Sequence, residues 1–191
     1  MTTQAIGLRR IETYLYDCLP HRLKQDLCAL RMVKESDLEA CAYHYLRRFL
    51  RRDRSWSVYT RKYSIHTSHY IDLLLFRDGY PRIAIELKWN CAAMSRKDRR
   101  SLRRALRLLR VNRAYFMTTS IGARAYERIH KNMIEKNRLF EIIIPLPLKG
   151  KPLKDWKEKR RVFMSRMERG RARRKGTVSQ DAQHRRSPVN G

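Results

Sequence analysis

Three charged side chains interrupt two otherwise apolar segments in the middle of the chain. Asp72 lies within YIDLLLF, and Glu86 and Lys88 lie two residues apart within RIAIELKW. Two neighbouring carboxylates resist joint ionisation unless a cation lies between them, and Mg²⁺ binds one or two carboxylates while keeping waters for a phosphate. The pattern therefore predicts a site for Mg²⁺ or Mn²⁺. The lysine beside it could orient or deprotonate an attacking water, or neutralise charge on the phosphate.

Both segments have the composition of β-strands. Tyr70 to Phe76 and Arg82 to Trp89 are rich in aliphatic residues, and the Asp78-Gly79 dipeptide between them is typical of a hairpin turn. Alternation places the glutamate and the lysine of the second segment on the same face. A further segment at 56–65, rich in β-branched and aromatic residues, precedes them. We therefore expect an antiparallel meander of three strands.

The face on which Asp72 lies depends on the register of this hairpin. A two-residue turn at Asp78-Gly79 would set Asp72 against Ile85, on the wrong face for a shared site. Pairing Asp72 with Glu86 requires an odd-numbered loop. We therefore predict a loop of about three or five residues, or a β-bulge in one strand.

Helical patterns surround the meander. Ser36-Asp37-Leu38-Glu39 has the spacing of a capping box and predicts a helix that ends near Arg52. Ser95 and Asp98 open a second helix, which has an apolar stripe and an arginine face. A short apolar strand at 114–119 then completes a parallel strand-helix-strand unit. The other expected elements are two short helices within 6–32, a helix at about 123–137 and a strand at 139–144.

These elements predict an α/β fold, in which a central mixed five-stranded sheet combines the antiparallel meander with parallel strands and is flanked by helices. Composition divides the chain into N-terminal helices in 1–34, a core in 35–148 and a basic, partly disordered tail in 149–191. The tail has too few apolar residues to pack a core. The cysteines lack Cys-x-x-Cys spacing, which argues against a zinc ribbon and against a disulfide framework.

The order helix, three-strand meander, helix, strand, with Asp72 on the second strand and Glu86-Leu87-Lys88 on the third, resembles the PD-(D/E)xK superfamily. These are the restriction-endonuclease-like nucleases. The resemblance covers about 36–144. One departure is that Ile71, not the proline of the superfamily motif, precedes Asp72.

The resemblance implies a role for each residue of the motif. Asp72 and Glu86 would be metal ligands, the Leu87 carbonyl would be a further ligand, and Lys88 would be the catalytic lysine. Glu39 matches the acidic residue that many members place on the first core helix. The implied activity is metal-dependent hydrolysis of phosphodiester bonds by an endonuclease.

Each of these residues also has a structural interpretation. Glu39 stands where a capping box begun at Ser36 wants a glutamate. Lys88, near the end of an edge strand, could extend to water with Glu86 as its surface partner. Asp72 is harder to explain structurally, because an acid inside so apolar a strand needs a buried partner or a site.

The charge of the chain predicts a polyanionic partner. Lysine and arginine number 45 against 18 acidic residues, which gives a net charge of +27. A field of that sign concentrates nucleic acid and gives salt-sensitive, weakly sequence-selective binding. The arginines expected to contact phosphates are Arg47, Arg48, Arg51, Arg52, Arg99, Arg100, Arg103, Arg104 and Arg107.

The expected function is thus a magnesium-dependent endonuclease, with DNA favoured over RNA as substrate. The alternative is a non-catalytic basic nucleic-acid-binding protein with a nuclease-like core, and an RNA-associated protein is a weaker third option. We find no apolar run of about 18 residues and no secretory signal, so we expect no membrane partner and an intracellular, cytoplasmic location, with the nucleoid as an option. A homodimer is left open, because no pattern marks a dimer surface.

Overall fold

The computed structural model describes residues 6–63, 70–122, 128–136 and 138–184. The chain divides into two compact units, 1–149 and 150–191. The helices are α1 (Leu8–Thr13), α2 (Leu19–Cys28), α3 (Glu35–Leu50), α4 (Arg96–Leu108) and α5 (Gly150–His184), with a π-helical turn, Tyr14–Cys18, between α1 and α2. The strands are β1 (Trp56–Tyr63), β2 (Tyr70–Arg77), β3 (Tyr80–Lys88), β4 (Arg113–Ile121), β5 (His130–Glu135) and β6 (Leu139–Leu146).

One mixed sheet holds the strands in the order β1-β2-β3-β4-β6-β5. The first three strands form the predicted antiparallel meander, and β3, β4 and β6 run parallel. The α/β class and the mixed sheet are therefore confirmed. The predicted count of five strands is wrong, because β5 pairs antiparallel with β6 as a sixth strand at one edge.

The sixth strand lies where the sequence predicts a helix. The helix expected at about 123–137 is wrong over His130–Glu135, and residues 123–127 and 137 lie outside the described part of the chain. The segment HKNMIE contains lysine, methionine and glutamate, which favour helices, and none of its described side chains is fully buried. An edge strand of this polar kind resists pairing with other chains, but it has no apolar alternation to reveal it.

The first core helix begins differently from its sequence pattern. Lys34 is the N-cap residue of α3, and its side chain makes no capping hydrogen bond with any described residue. Asp37 accepts a hydrogen bond from Val33 N at 3.0 Å. The capping box predicted at Ser36 is wrong, because Ser36 lies inside the first turn. Capping therefore does not explain Glu39.

By contrast, α4 begins at the capping box that the sequence predicts. Asp98 N donates to Ser95 Oγ at 3.1 Å, and Ser95 N donates to Asp98 Oδ2 at 3.3 Å. The apolar stripe of α4 packs in one cluster with Leu74 of β2, Ala84 of β3 and Phe116 of β4. Since side chains alternate along a strand, the sheet face covered by α4 is also the face of Glu86 and Lys88.

The β2–β3 hairpin combines a tight turn with a bulge. The two turn residues, Asp78 and Gly79, both have positive φ, 52° and 79°, as a two-residue hairpin turn requires. The register then shifts between Leu75 and Phe76, because Arg82 is an extra residue on β3. The predicted bulge is thus confirmed.

This bulge decides which residues face each other farther along the hairpin. Beyond it, Leu73 pairs with Ile85, so the next position along β2 brings Asp72 beside Glu86. An uninterrupted ladder from the same turn would set Asp72 against Ile85, and would move its side chain to the other face.

The chain after the sheet is helical for most of its length. α5 extends from Gly150 to His184, within the segment 149–191 that the sequence predicts to be a basic, partly disordered tail. Residues 177–184, at the polar end of that segment, are therefore helical, and residues 185–191 lie outside the described part. β1 ends at Tyr63, and the last two residues of the predicted segment are likewise not described. Among the described helices, none combines the length and the apolar character needed to cross a membrane.

Candidate active site

The structure brings Asp72, Glu86 and Lys88 together on adjacent strands. Lys88 Nζ lies 3.0 Å from Glu86 Oε1, and Asp72 Oδ2 accepts a hydrogen bond of 2.8 Å from Leu87 N. The Asp72 carboxylate thereby accepts a hydrogen bond from a backbone N–H of β3, just beyond the last ladder pair of the hairpin. The bulge that sets the register and this side-chain bond together fix Asp72 against β3.

Burial disfavours the ionised forms of Asp72 and Glu86 and so raises the pKa of both carboxyl groups. Burial and the Asp72 charge raise the pKa of Glu86 to about 7, against the opposite effect of Lys88. Burial likewise raises the pKa of Asp72, although the hydrogen bond from Leu87 and the charge of Lys88 oppose the change; Glu39 and Glu35 add to it. The two acids therefore share a site in which one lysine does not balance their charge.

Lys88 lies between two acids. Its Nζ is 3.0 Å from Glu86 and 3.7 Å from Glu35 Oε1, and about a quarter of its side chain is exposed, 26%. Burial alone would lower its pKa, but the Glu86, Asp72 and Glu35 carboxylates outweigh it, and the pKa is raised. Lys88 is consequently a firmly charged ammonium at neutral pH.

The structural interpretation of the pair as a surface contact is wrong. β3 lies between β2 and β4, so Lys88 is not on an edge strand. Glu86 is only 7% exposed. A buried, charged pair of this kind is costly to form, and replacing it with apolar residues is often neutral or stabilising, so stability alone gives a weak reason for its presence.

The first core helix supplies two acids near the site, one of which the sequence pattern did not reveal. Glu39, the expected residue, acts on Asp72 through its charge. Glu35, four residues earlier, contacts Lys88 and accepts a hydrogen bond from Trp89 N at 3.3 Å. The signal that could have revealed it is the i, i+4 spacing, which places both acids on one helix face.

Buried polar residues of β4 and β6 hold the loop that follows Lys88. Asn90 N donates to Thr119 Oγ1 at 2.9 Å, and Met94 N donates to Glu141 Oε1 at 2.7 Å. Thr119 is fully buried and Glu141 nearly so. The loop thereby fixes the start of α4 close to the site, and the charge of Asp98 on that first turn adds to the raised pKa of Glu86.

The site has a free acceptor for a cation. Glu86 Oε2 is buried and has no hydrogen-bond partner among the described residues, which is an unfavourable state for a carboxylate oxygen unless a ligand binds it. Asp72 and Glu86 with raised pKa values fit a hard divalent ion. Within the described ranges, however, no three His, Cys, Asp or Glu side chains converge as a ready metal cage. Mg²⁺ tolerates this, since it keeps several waters.

The predicted arginines lie at two distances from the site. Arg47, on α3, is twelve residues from Glu35, roughly 18 Å along the helix, so the Arg47/Arg48/Arg51/Arg52 cluster lies at the far end of α3, where all four are exposed. The α4 arginines follow directly from the site loop. Arg103 among them forms an ion pair with Glu135 of β5, while Arg100 and Arg107 are exposed.

Comparisons with known proteins do not identify a family for this chain. The chain matches no family model, and searches of curated proteins and of solved structures also find no match. The function is therefore inferred from the residues of the site, their burial and their charges.

Proposed function

We propose that this protein is a metal-dependent nuclease that hydrolyses phosphodiester bonds, with DNA rather than RNA as the expected substrate. The observation that carries the proposal is the buried Asp72 and Glu86 pair beside Lys88, with one carboxylate oxygen unsatisfied within the described part of the chain. The resemblance to PD-(D/E)xK nucleases assigns the same three residues to catalysis. Asp72 and Glu86 would hold Mg²⁺ or Mn²⁺, and the Leu87 carbonyl would be a further ligand.

The protonation state of Lys88 favours one of its possible roles over the others. A bound divalent ion would lower the pKa of a water ligand and neutralise charge on the phosphate. Lys88 has a raised pKa, so it is suited to donate hydrogen bonds to the phosphate oxygens as negative charge develops there. It is poorly suited to remove a proton from water in the state described. Of the roles that the sequence left open for Lys88, charge stabilisation is thus the one we propose.

The basic face of α4 supports a nucleic acid as substrate. The helix begins at the site loop and carries Arg99, Arg100, Arg104 and Arg107 away from it. Arginine contacts to phosphates position a backbone without reading its bases. We expect cleavage with little sequence preference and a steep dependence on salt.

The test compares cleavage by the full chain with that of two site variants. Asp72→Ala and Lys88→Ala should remain folded by circular dichroism and lose magnesium-dependent cleavage of plasmid, linear and forked DNA, by at least about a hundredfold for a group that stabilises transition-state charge. Asp155→Ala and Lys136→Ala, at exposed positions, are matched controls and should cleave normally. Unchanged cleavage by either site variant would refute the assignment.

The absence of a three-residue metal cage among the described residues favours a second candidate, a basic nucleic-acid-binding protein without catalysis. Metal binding separates the two. Calorimetric titration with Mn²⁺ should show a site in the full chain that Asp72→Asn abolishes if the protein is the enzyme. A titration without binding, together with salt-sensitive DNA binding and no cleavage, would establish the non-catalytic function.

A further inference from the structure

A cavity of about 290 Å³ lies at the turn end of the β2–β3 hairpin, away from the acidic site. We call it the hairpin cavity. Arg82 and Lys88 are six residues apart on β3, roughly 20 Å along an extended strand. The cavity is lined by Leu8, Trp56, Arg77, Asp78, Arg82 and Asn112.

Two arginines line this cavity, and they differ in their acidic partners. Arg82 has a cation–π contact with the Tyr80 ring, 5.9 Å from its centroid, and no ion-pair partner within the described ranges. Arg77 lies over the Trp56 ring, and its Nε is 3.6 Å from the exposed Asp78 carboxylate. Arg77 also interacts electrostatically with the buried Asp53 carboxylate. Arg82 is thus the guanidinium group of the lining that has no acidic partner among the described residues.

The bulge explains why Arg82 takes part in this lining. An extra residue in a strand leaves the ladder and re-aims its side chain, and Arg82 is the extra residue of β3. Its backbone is nevertheless held, because Arg82 O accepts a hydrogen bond of 2.7 Å from Asn112 N. The guanidinium is therefore carried by a fixed backbone.

Asn112 also lines the cavity, and its side-chain amide has an atom that is unsatisfied among the described residues. Its Oδ1 is buried and has no hydrogen-bond partner in the part of the chain that the structure describes. Rotation of the amide exchanges its oxygen and its NH₂ group, which are assigned from hydrogen-bond partners. In the rotated state the amide would offer donors beside the two guanidinium groups.

We propose that the hairpin cavity binds a phosphate group, either of a free nucleotide or of a nucleic acid backbone. Guanidinium forks match phosphate oxygens in geometry and charge, and the indole of Trp56 forms an apolar wall. Arg82 and Arg77 would bind the phosphate, and Asn112 would donate to it. This site does not depend on the nuclease assignment, because none of its residues belongs to the acidic site.

Trp56 provides a local readout for the test. In a Trp89→Phe, Trp156→Phe background, emission from Trp56 should change in a saturable way with inorganic phosphate and not with chloride at equal ionic strength. Arg82→Ala should weaken this binding at least tenfold, and Arg77→Ala should do the same in a mobility or calorimetric assay. Arg54→Ala, at an exposed position, is the control and should bind normally.

Two further probes identify the source of the phosphate. A nucleoside monophosphate that competes with inorganic phosphate, while an oligonucleotide without terminal phosphates does not, identifies a nucleotide site. Competition by the oligonucleotide identifies a backbone contact. A linear response to phosphate without saturation, or equal affinity in folded Arg82→Ala, Arg77→Ala and Arg54→Ala proteins, would overturn the proposal.

Discussion

Replacing Glu86 with glutamine should make the protein more stable at neutral and alkaline pH. Burial and the Asp72 charge raise the pKa of Glu86 from 4.5 to about 7. The folded state then binds this proton more tightly than the unfolded state, so stability is lost as pH rises from about 4.5 to about 7 and is constant above it. At about 1.4 kcal/mol per pH unit, the full loss is roughly 3 kcal/mol. Glutamine keeps the shape of the protonated acid and does not titrate.

The measurement is urea unfolding of wild-type and Glu86→Gln proteins between about pH 5 and pH 8. The stability advantage of the variant should grow with pH by about 2 to 3 kcal/mol across this interval and then level off. Glu158→Gln, at an exposed position of α5, is the matched control. A difference that does not change with pH, or one that shrinks as pH rises, would show that Glu86 is not held in an unfavourable ionised state.

Two further predictions concern the elements that position the site. Asp53 is buried, and its pKa is lowered because hydrogen bonds from Ile6 and Ser55 outweigh its burial. Asp53→Asn should therefore lower the free energy of unfolding by about 1 to 3 kcal/mol at neutral pH. This difference should decline below about pH 4, where Asp53 itself becomes protonated, and urea unfolding at several pH values measures it. Ser95→Ala should lower the free energy of unfolding by about 1 kcal/mol through loss of the α4 capping box, whereas Ser36→Ala should leave it nearly unchanged; equal effects would contradict the helix starts.

Much of the sheet could be predicted from the sequence because its central strands are strongly patterned. The meander and the parallel strands have aliphatic runs that few helices of that length share, and their charged interruptions identified Asp72, Glu86 and Lys88. The sequence predicted the bulge only as one of several alternatives. Placing Asp72 on the face of Glu86 requires an odd number of residues between the paired strands, but either a longer turn or an extra strand residue meets that requirement. β5 was missed because a polar edge strand has no pattern of its own.

Contacts made by tertiary structure account for the other differences. Glu35 reaches Lys88 and Trp89 because α3 begins at Glu35, with Lys34 as its N-cap residue. Ser36 offered a stronger local signal for a later start. A hydrogen bond that Val33 N donates to Asp37 Oδ2 replaces the expected cap. No local pattern encodes the burial of Glu141, whose partner Met94 is 47 residues away in sequence. Long-range pairing of this kind overrides local preference.

The extra residue at Arg82 sets the register of the hairpin, and this register limits which insertions and deletions the gene can accept. Losing or gaining a single codon between the turn and Glu86 would move the side chains of one strand to the opposite face of the sheet and bury the wrong ones. This would hold even if all other residues stayed the same. Changes in pairs would leave orientation intact. Length variation in this hairpin is therefore expected to proceed in steps of two, and any lineage that departs from that rule should have abandoned the acidic site.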